Sequence, residues 1–352
     1  MHPNNLMHRR GVRASIAATA ALALGITVSA CGSSDSSSSD STSGGPVSGS
    51  VSLVAYSSPQ DAYESTLEPG FNKTPEGAEV DFSNSFGASG DQSRAVEAGQ
   101  PADLVHFAIE PDVSRLVDAD LVPEDWADNQ YNGIIQDSTV VFITRKGNPN
   151  DIQTWDDVAS GDNEVVVPNP FTSGGARWDI MAAYGAALEE GKTEEEALQR
   201  VEDILTATVQ QDASASDALE TFTSGKGDVL LAYESDALRA QAAGEDVDYV
   251  TPDQTILIET PGAITTDAQN PDAAQAFLDY LWSPEGQQGF ADAGYRPVDP
   301  DVLKQNEDKY PTPKDLFTIE DLGGWDKVTD EFFDPENGSV AQIEQGLGVT
   351  TG

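Results

Sequence analysis

The stretch Asn169-Pro170-Phe171-Thr172-Ser173-Gly174-Gly175-Ala176-Arg177-Trp178 lies between an apolar run, Val165-Val166-Val167, and a helical pattern from Trp178 to Leu188. Its order is therefore strand, turn, helix. Pro168 and Pro170 stop the strand, because proline cannot donate to a ladder. Thr172 and Ser173 are good helix N-caps. Gly174 and Gly175 lack a Cβ, so the backbone can approach whatever sits above it. The expected product is a helix N-terminus with free N–H groups aimed outward. Hydrogen bonds and the helix dipole attract a small anion to such a place. On spacing alone the same residues also fit an ordinary capped turn. They do not make a P-loop, because no Gly-Lys-Ser/Thr ends them.

Strand and helix patterns alternate on both sides of this stretch. Val51–Tyr56, Glu79–Phe82, Asp103–Phe107, Ser138–Arg145, Asp228–Ala232 and Val247–Val250 read as strands. Helical patterns fall between them, over 59–71, 91–98, 111–118, 178–188, 193–205, 215–222 and 235–242. This alternation predicts α/β layering with mostly parallel sheets. Arg145 to Asn150 reads as a crossover and Thr255 to Ile264 as a return. Two lobes follow: 51–145 plus 256–352 form lobe I, and 146–255 form lobe II inserted into it. The tail from Pro271 reads as helical, over 273–282, 284–293, 300–306 and 324–333.

The N-terminus reads as an export signal. His8, Arg9, Arg10 and Arg13 precede an uncharged, alanine-rich core from Ala14 to Ala30. Val28-Ser29-Ala30-Cys31 reads as a lipobox, so residues 1–31 are expected to be a lipoprotein signal with Cys31 carrying the lipid. Cys31 is the single cysteine, which excludes a disulfide within one chain and a cysteine metal site. Residues 32–50 are Ser, Gly, Asp and Thr with almost nothing apolar, the composition of a flexible tether. The expected location is the outer face of the cytoplasmic membrane, reached by export and held by the lipid. The formal charge of −43 argues against nucleic acid as a partner. It does not argue against a small anion, because charges beyond about 8 Å are largely screened at physiological salt.

Further motifs extend the reading. Gly227-Asp228-Val229-Leu230-Leu231-Ala232-Tyr233-Glu234, Phe142 to Pro149, Tyr280 to Gly286 and Tyr295-Arg296-Pro297 follow in order. Together with the decapeptide they resemble the sulfate-binding proteins of bacterial ABC importers, from about Val51 to about Trp325. The resemblance implies a two-lobe periplasmic-binding-protein-like fold of type II and a monomer that binds sulfate or a related oxyanion. It also implies the permease of an importer as partner, and neither cofactor nor metal. Ligand contacts in the family come from backbone N–H groups, serine hydroxyls and an aromatic donor. Carried onto this chain, these are Ser57, Ser58, Ser89, Gly90, Gly174, Gly175, Ala215, Ser216 and Tyr233, with Ser173 and Arg177 behind them. Three departures stand out: Phe171 where lysine is common, Tyr233 in place of a tryptophan, and Asp212 to Glu220 without a Gly-Arg-Gly-like turn. The last bears on Ala215 and Ser216, and with them on the choice among sulfate, thiosulfate, molybdate and phosphate.

A secreted ester hydrolase is the competing class. It would need His106, the single histidine outside the signal region, as its base. No Gly-x-Ser-x-Gly elbow accompanies it. His106 sits in an apolar strand, where a structural role is the plainer expectation. The acidic pairs and runs, such as Asp156-Asp157 and Glu194-Glu195-Glu196, read as solvated faces.

Overall fold

The computed structural model describes residues 46–351, which lie within one compact unit. The signal, Cys31 and most of the tether lie outside the described residues. Strand β1 (Ser48–Tyr56) is the first framework element, and its Val51, Leu53, Val54 and Ala55 are all buried. It pairs in parallel with β2 (Glu79–Gly87) on one side and β3 (Leu104–His106) on the other. A second strand group contains β5 (Val165–Val166), β6 (Thr208–Gln210) and β7 (Val229–Tyr233), with β5 parallel to both neighbours.

Two long strands join the groups, β9 (Gln254–Ile264) beside the first and β4 (Ile134–Arg145) beside the second. The first half of β4 pairs antiparallel with β9. Its second half pairs with β7 and with β8 (Val247–Val250), again antiparallel. The end of β9 then pairs with β3. A short β10 (Asp315–Phe317) lies parallel to the start of β9. The α/β class is as the sequence suggests, but the sheet is mixed. Parallel pairs sit where helices make the crossovers, and the two strands that pass between groups run antiparallel to each other.

Local sequence sets several boundaries. The Gly174–Glu189 helix begins four residues before the expected Trp178, because the Ser173 hydroxyl accepts the Ala176 N–H and fixes the start there. Almost all of this helix is buried, and Gly185 lets the Phe317 ring lie against it. The helix expected over 59–71 holds a π-turn at Tyr63–Leu67. The Trp155–Ala159 and Ser339–Leu347 helices, with β6 and β10, had no counterpart in the sequence reading.

The packing also divides the tail. The Pro271–Trp282 and Pro284–Ala293 helices pack with β1, where Phe277 and Phe290 join Tyr63, Leu67 and Phe71. Residues from Phe317 onward pack elsewhere. Trp325 meets Trp178 edge-on at 4.7 Å, and Phe332 meets Tyr184 at 4.8 Å. Phe317, Trp325, Val328 and Phe333 share a core with Trp155, Met181 and Val201. The tail expected to belong whole to lobe I thus packs in two places, residues 271–293 against β1 and those from Phe317 onward against the Gly174–Glu189 helix. Those aromatic side chains cover the apolar face that the Gly174–Glu189 helix presents.

Candidate anion site

Four helix N-termini converge on one point. They belong to Ser89–Glu97, Gly174–Glu189, Ala215–Thr223 and Glu234–Ala242. A small cavity of about 10 Å³ lies there, lined by Tyr56, Ser57, Ser58, Ala88, Ser89, Ala108, Ser173, Gly175, Ala215 and Tyr233. Every lining group is uncharged. That volume is about the room of one water, so a tetrahedral anion fits only after the surrounding elements part slightly.

The first N–H groups of a helix have no acceptor inside it. Among the described residues, the N–H groups of Ser58, Ser89, Gly174, Gly175 and Ala215 find none outside it either. Ser173 accepts from Ala176 and leaves its own O–H free. Tyr233 caps the last of the four helices, and its hydroxyl is buried without a partner. Burial, then nearby Asp179 and Asp236, hold this phenol well above its ordinary pKa, so it keeps its proton as a donor. Each helix N-terminus carries about half a positive charge, so four together approach the two negative charges of a dianion.

The structure distributes the sequence-predicted residues unevenly. Ser57, Ser58, Ser89, Gly175, Ala215 and Tyr233 line the cavity, and Ser173 joins them rather than standing behind. Gly90, Gly174 and Ser216 do not line it. The Gly90 N–H is spent on the Thr172 carbonyl at 3.0 Å. Gly174 packs against Ala108 and Ile109, and a Cβ there would come within 2.9 Å of the Ala108 Cβ. The Ser216 N–H donates to the Ser57 hydroxyl at 3.4 Å.

Ser89 differs from expectation in its chemistry. Its hydroxyl donates to the Asp112 carboxylate at 2.6 Å and accepts the Ala108 N–H at 2.9 Å. What remains for the cavity is its backbone N–H. Burial raises the Asp112 pKa against the lowering pull of Ser89 and of Arg177. Arg177 braces the loop, with its Nε donating to the Pro170 carbonyl at 2.9 Å, and burial lowers its own pKa to about 10. Sequence reading missed Tyr56, Ala88, Ala108 and Asp112. The first three carry no motif, and the Ala108 N–H is already taken by Ser89. Asp112 could have been found as an acid in an otherwise capping position, since it lies in the first turn of the Glu110–Asp118 helix.

The elements around the cavity are sewn together. Beside the Gly90–Thr172 bond, Trp178 Nε1 donates to the Ala108 carbonyl at 2.7 Å. Ser58 donates to Asp236 at 3.4 Å. A much larger groove, about 1240 Å³, lies outside this seam and is lined by Arg94, Arg115, Arg177, Phe171, Trp325 and Phe333 among others. His106 lines neither. It sits between the Tyr63 hydroxyl at 2.7 Å and the Thr260 hydroxyl at 3.0 Å, and burial lowers its pKa to about 3.

Residues 51–296 match the family model described as bacterial extracellular solute-binding protein. A sulfate-binding protein of Synechococcus elongatus is 40% identical over 95% of this chain and 97% of its own length. The chain belongs to the sulfate-binding protein family. A second family member, a thiosulfate-binding protein of Pseudomonas aeruginosa, is 33% identical over 80% of this chain and 88% of its own. Among solved structures, the sulfate-binding protein SubI from Mycobacterium tuberculosis superposes with a TM-score of 0.79 at 40% identity, covering 81% of this chain and 99% of that one. Like other members of the sulfate-binding protein family, this chain is thus built as an extracellular solute-binding protein.

Proposed function

We propose that this protein captures sulfate in the cavity under Tyr233 and delivers it to the permease of an ABC importer. The observation that carries the reading is the donor set. Several unaccepted N–H groups, the Ser173 hydroxyl and the Tyr233 hydroxyl surround a space lined by neither cation nor carboxylate. Sulfate is fully ionised at neutral pH and only accepts hydrogen bonds, so donors alone satisfy it. A protonated phosphate would need an acceptor for its own hydrogen, and a buried O–H left unpaired there is costly.

Capture is by closure of two lobes. The cavity has no room to admit an ion while the Gly90–Thr172 and Trp178–Ala108 contacts hold. β4 and β9 are the strands on which the lobes turn, and the turning point lies where β4 changes partner from β9 to β7, between Thr139 and Val140, rather than at Arg145. Lobe I comprises 51–145 and the return through the helices up to about 305, and lobe II comprises 146–255 with the tail from 315 packed on it. Cys31 and the segment that precedes β1, which takes the last three residues of the expected 32–50 tether into its strand, hold the body at the membrane's outer face as a monomer free to reach the permease. The protein binds without chemistry: His106, with its pKa near 3 and both ring nitrogens engaged, is no general base.

Thiosulfate is a second reading, favoured by the similarity to the thiosulfate-binding relative. Native mass spectrometry of the protein as purified tests both. Because sulfate and phosphate add the same nominal mass, the anion released on denaturation is also identified by ion chromatography: sulfate supports the first reading, thiosulfate the second, and phosphate overturns both.

A further inference from the structure

Tyr295-Arg296-Pro297 lies outside the cavity lining, and Arg296 makes the most buried bidentate ion pair among the described residues. Its Nε donates to Glu234 Oε2 at 2.7 Å and its Nη2 to Glu234 Oε1 at 3.0 Å. The two side chains are 6% and 1% exposed. A pair this deep is costly to assemble, since both ions lose water, and its presence calls for a use beyond stability. Glu234 follows Tyr233 directly and is the first residue of the helix that Tyr233 caps. Arg296 is itself fixed. Its backbone exchanges two hydrogen bonds with Asp137 of β4, both 2.9 Å, and its Nη2 also donates to the Pro311 carbonyl at 2.9 Å.

We propose that Arg296 is a positioning residue for the anion site, acting through Glu234 to hold the Tyr233 hydroxyl over the cavity. The chain of contacts is short and rigid. β4 fixes Arg296, the planar guanidinium fork fixes the Glu234 carboxylate in two bonds, and the peptide link fixes Tyr233. The geometry matters because the Tyr233 hydroxyl has no partner of its own among the described residues. Among the described residues, packing but no hydrogen bond holds the hydroxyl end of the ring before an anion arrives. A lysine at 296 would supply charge without the fork, so it would hold the carboxylate less firmly. The ion pair also ties a residue of the proposed lobe II to β4, one of the strands on which the lobes turn. The donor is thus referenced to the hinge rather than to its own lobe alone.

This inference rests on the proposed sulfate site, and a double-mutant cycle separates the two. Sulfate affinity is measured for the wild type, Arg296→Gln, Tyr233→Phe and the double variant. Because Arg296→Gln strands a buried carboxylate and can prevent folding, the set is repeated with Glu234→Gln/Arg296→Gln in place of the single change. The expected result is an affinity loss of about tenfold or more when Tyr233 is present, of the size of one hydrogen bond to a charged group. With Tyr233→Phe the same substitutions should cost less than about twofold, because the hydroxyl they position is gone. Arg296→Lys should fall between wild type and Arg296→Gln. Equal losses in the wild-type and Tyr233→Phe backgrounds would make the pair merely structural and overturn the inference while leaving the sulfate site standing. No loss in either background would overturn it too. Failure of the wild type to bind sulfate would instead overturn the function on which it rests.

Discussion

The cavity under Tyr233 and the groove beside it are concave regions of opposite design. The cavity holds about 10 Å³ and is lined by neutral groups. The groove holds about 1240 Å³ and carries three arginines among several acids. Intuition would send a dianion to the groove. The arginines there are already committed. Arg94 bonds Asp91 at 2.6 Å, Arg115 lies 3.9 Å from Glu97, and Arg177 braces the loop. Arg94 and Asp91 are also well exposed, where water and salt weaken any attraction they offer. The cavity offers buried dipoles already aimed at one point, which need only part slightly to admit the ion. On the proposed reading, preorganised donors outweigh nearby charge, and the larger opening is not where the anion is held.

The sharpest way to break this comparison is to fill the cavity. A Cβ at Gly175 would lie 3.4 Å from both the Ser173 hydroxyl and the Tyr233 ring, an ordinary contact, so alanine is tolerated there. The further methyls of Gly175→Val have nowhere to go but the anion's place. Gly175→Val should weaken sulfate binding more than about a hundredfold, or roughly 2.7 kcal/mol, with native far-ultraviolet circular dichroism. Gly174→Ala should instead lower the melting temperature, since its Cβ would strike Ala108. Binding that survives Gly175→Val within a few-fold would reduce the decapeptide to a structural turn.

The next effect separates two serines that sequence treats alike. Ser173→Ala removes a free hydroxyl donor and should cost about 1.5–3 kcal/mol of sulfate affinity, the range for a hydrogen bond to a charged group. Ser89→Ala leaves the anion its backbone donor but strips the buried Asp112 of a partner. Its main expected effect is a stability loss of about 1–3 kcal/mol, read as a lower unfolding midpoint in urea. The reverse order, with Ser89 mattering more for affinity, would mean that its hydroxyl turns to the anion.

A smaller effect concerns pH. The N–H donors do not titrate, and the Tyr233 phenol is held well above its usual pKa of 10. Deprotonation would replace a donor with a repelling charge, so affinity would fall only as pH rises through that raised value. Sulfate affinity should therefore stay constant from pH 7 to about 9.5. A decline over that range would place an ordinary titrating amine or phenol in the site. The smallest effect belongs to the groove: Arg94→Gln should change sulfate affinity less than about threefold at physiological salt. A loss of a decade or more would move part of the binding energy into the groove.

Much of this site was legible in the sequence because helix starts are local. Pro170, the caps and the two glycines specify a turn and a helix N-terminus whatever packs around them. The role of each serine was not legible. Whether Ser89 faces an ion or Asp112 depends on a residue 23 positions away on another helix. The same limit applied to the tail. Trp325 and Phe333 read as helical side chains, but which core they fill depends on the apolar face that the Gly174–Glu189 helix leaves open. The mixed sheet was hidden for a similar reason, since β4 and β9 are long strands whose partners and directions come only with the assembled fold.

Titration calorimetry of the wild-type protein with sulfate and with phosphate, at a pH where phosphate still carries a proton, tests the central claim most directly. Sulfate is expected to bind one to one and tightly, with phosphate at least about a hundredfold weaker for want of an acceptor. Phosphate binding as tight as sulfate would show that a site of donors alone is not what this protein presents to its ligand.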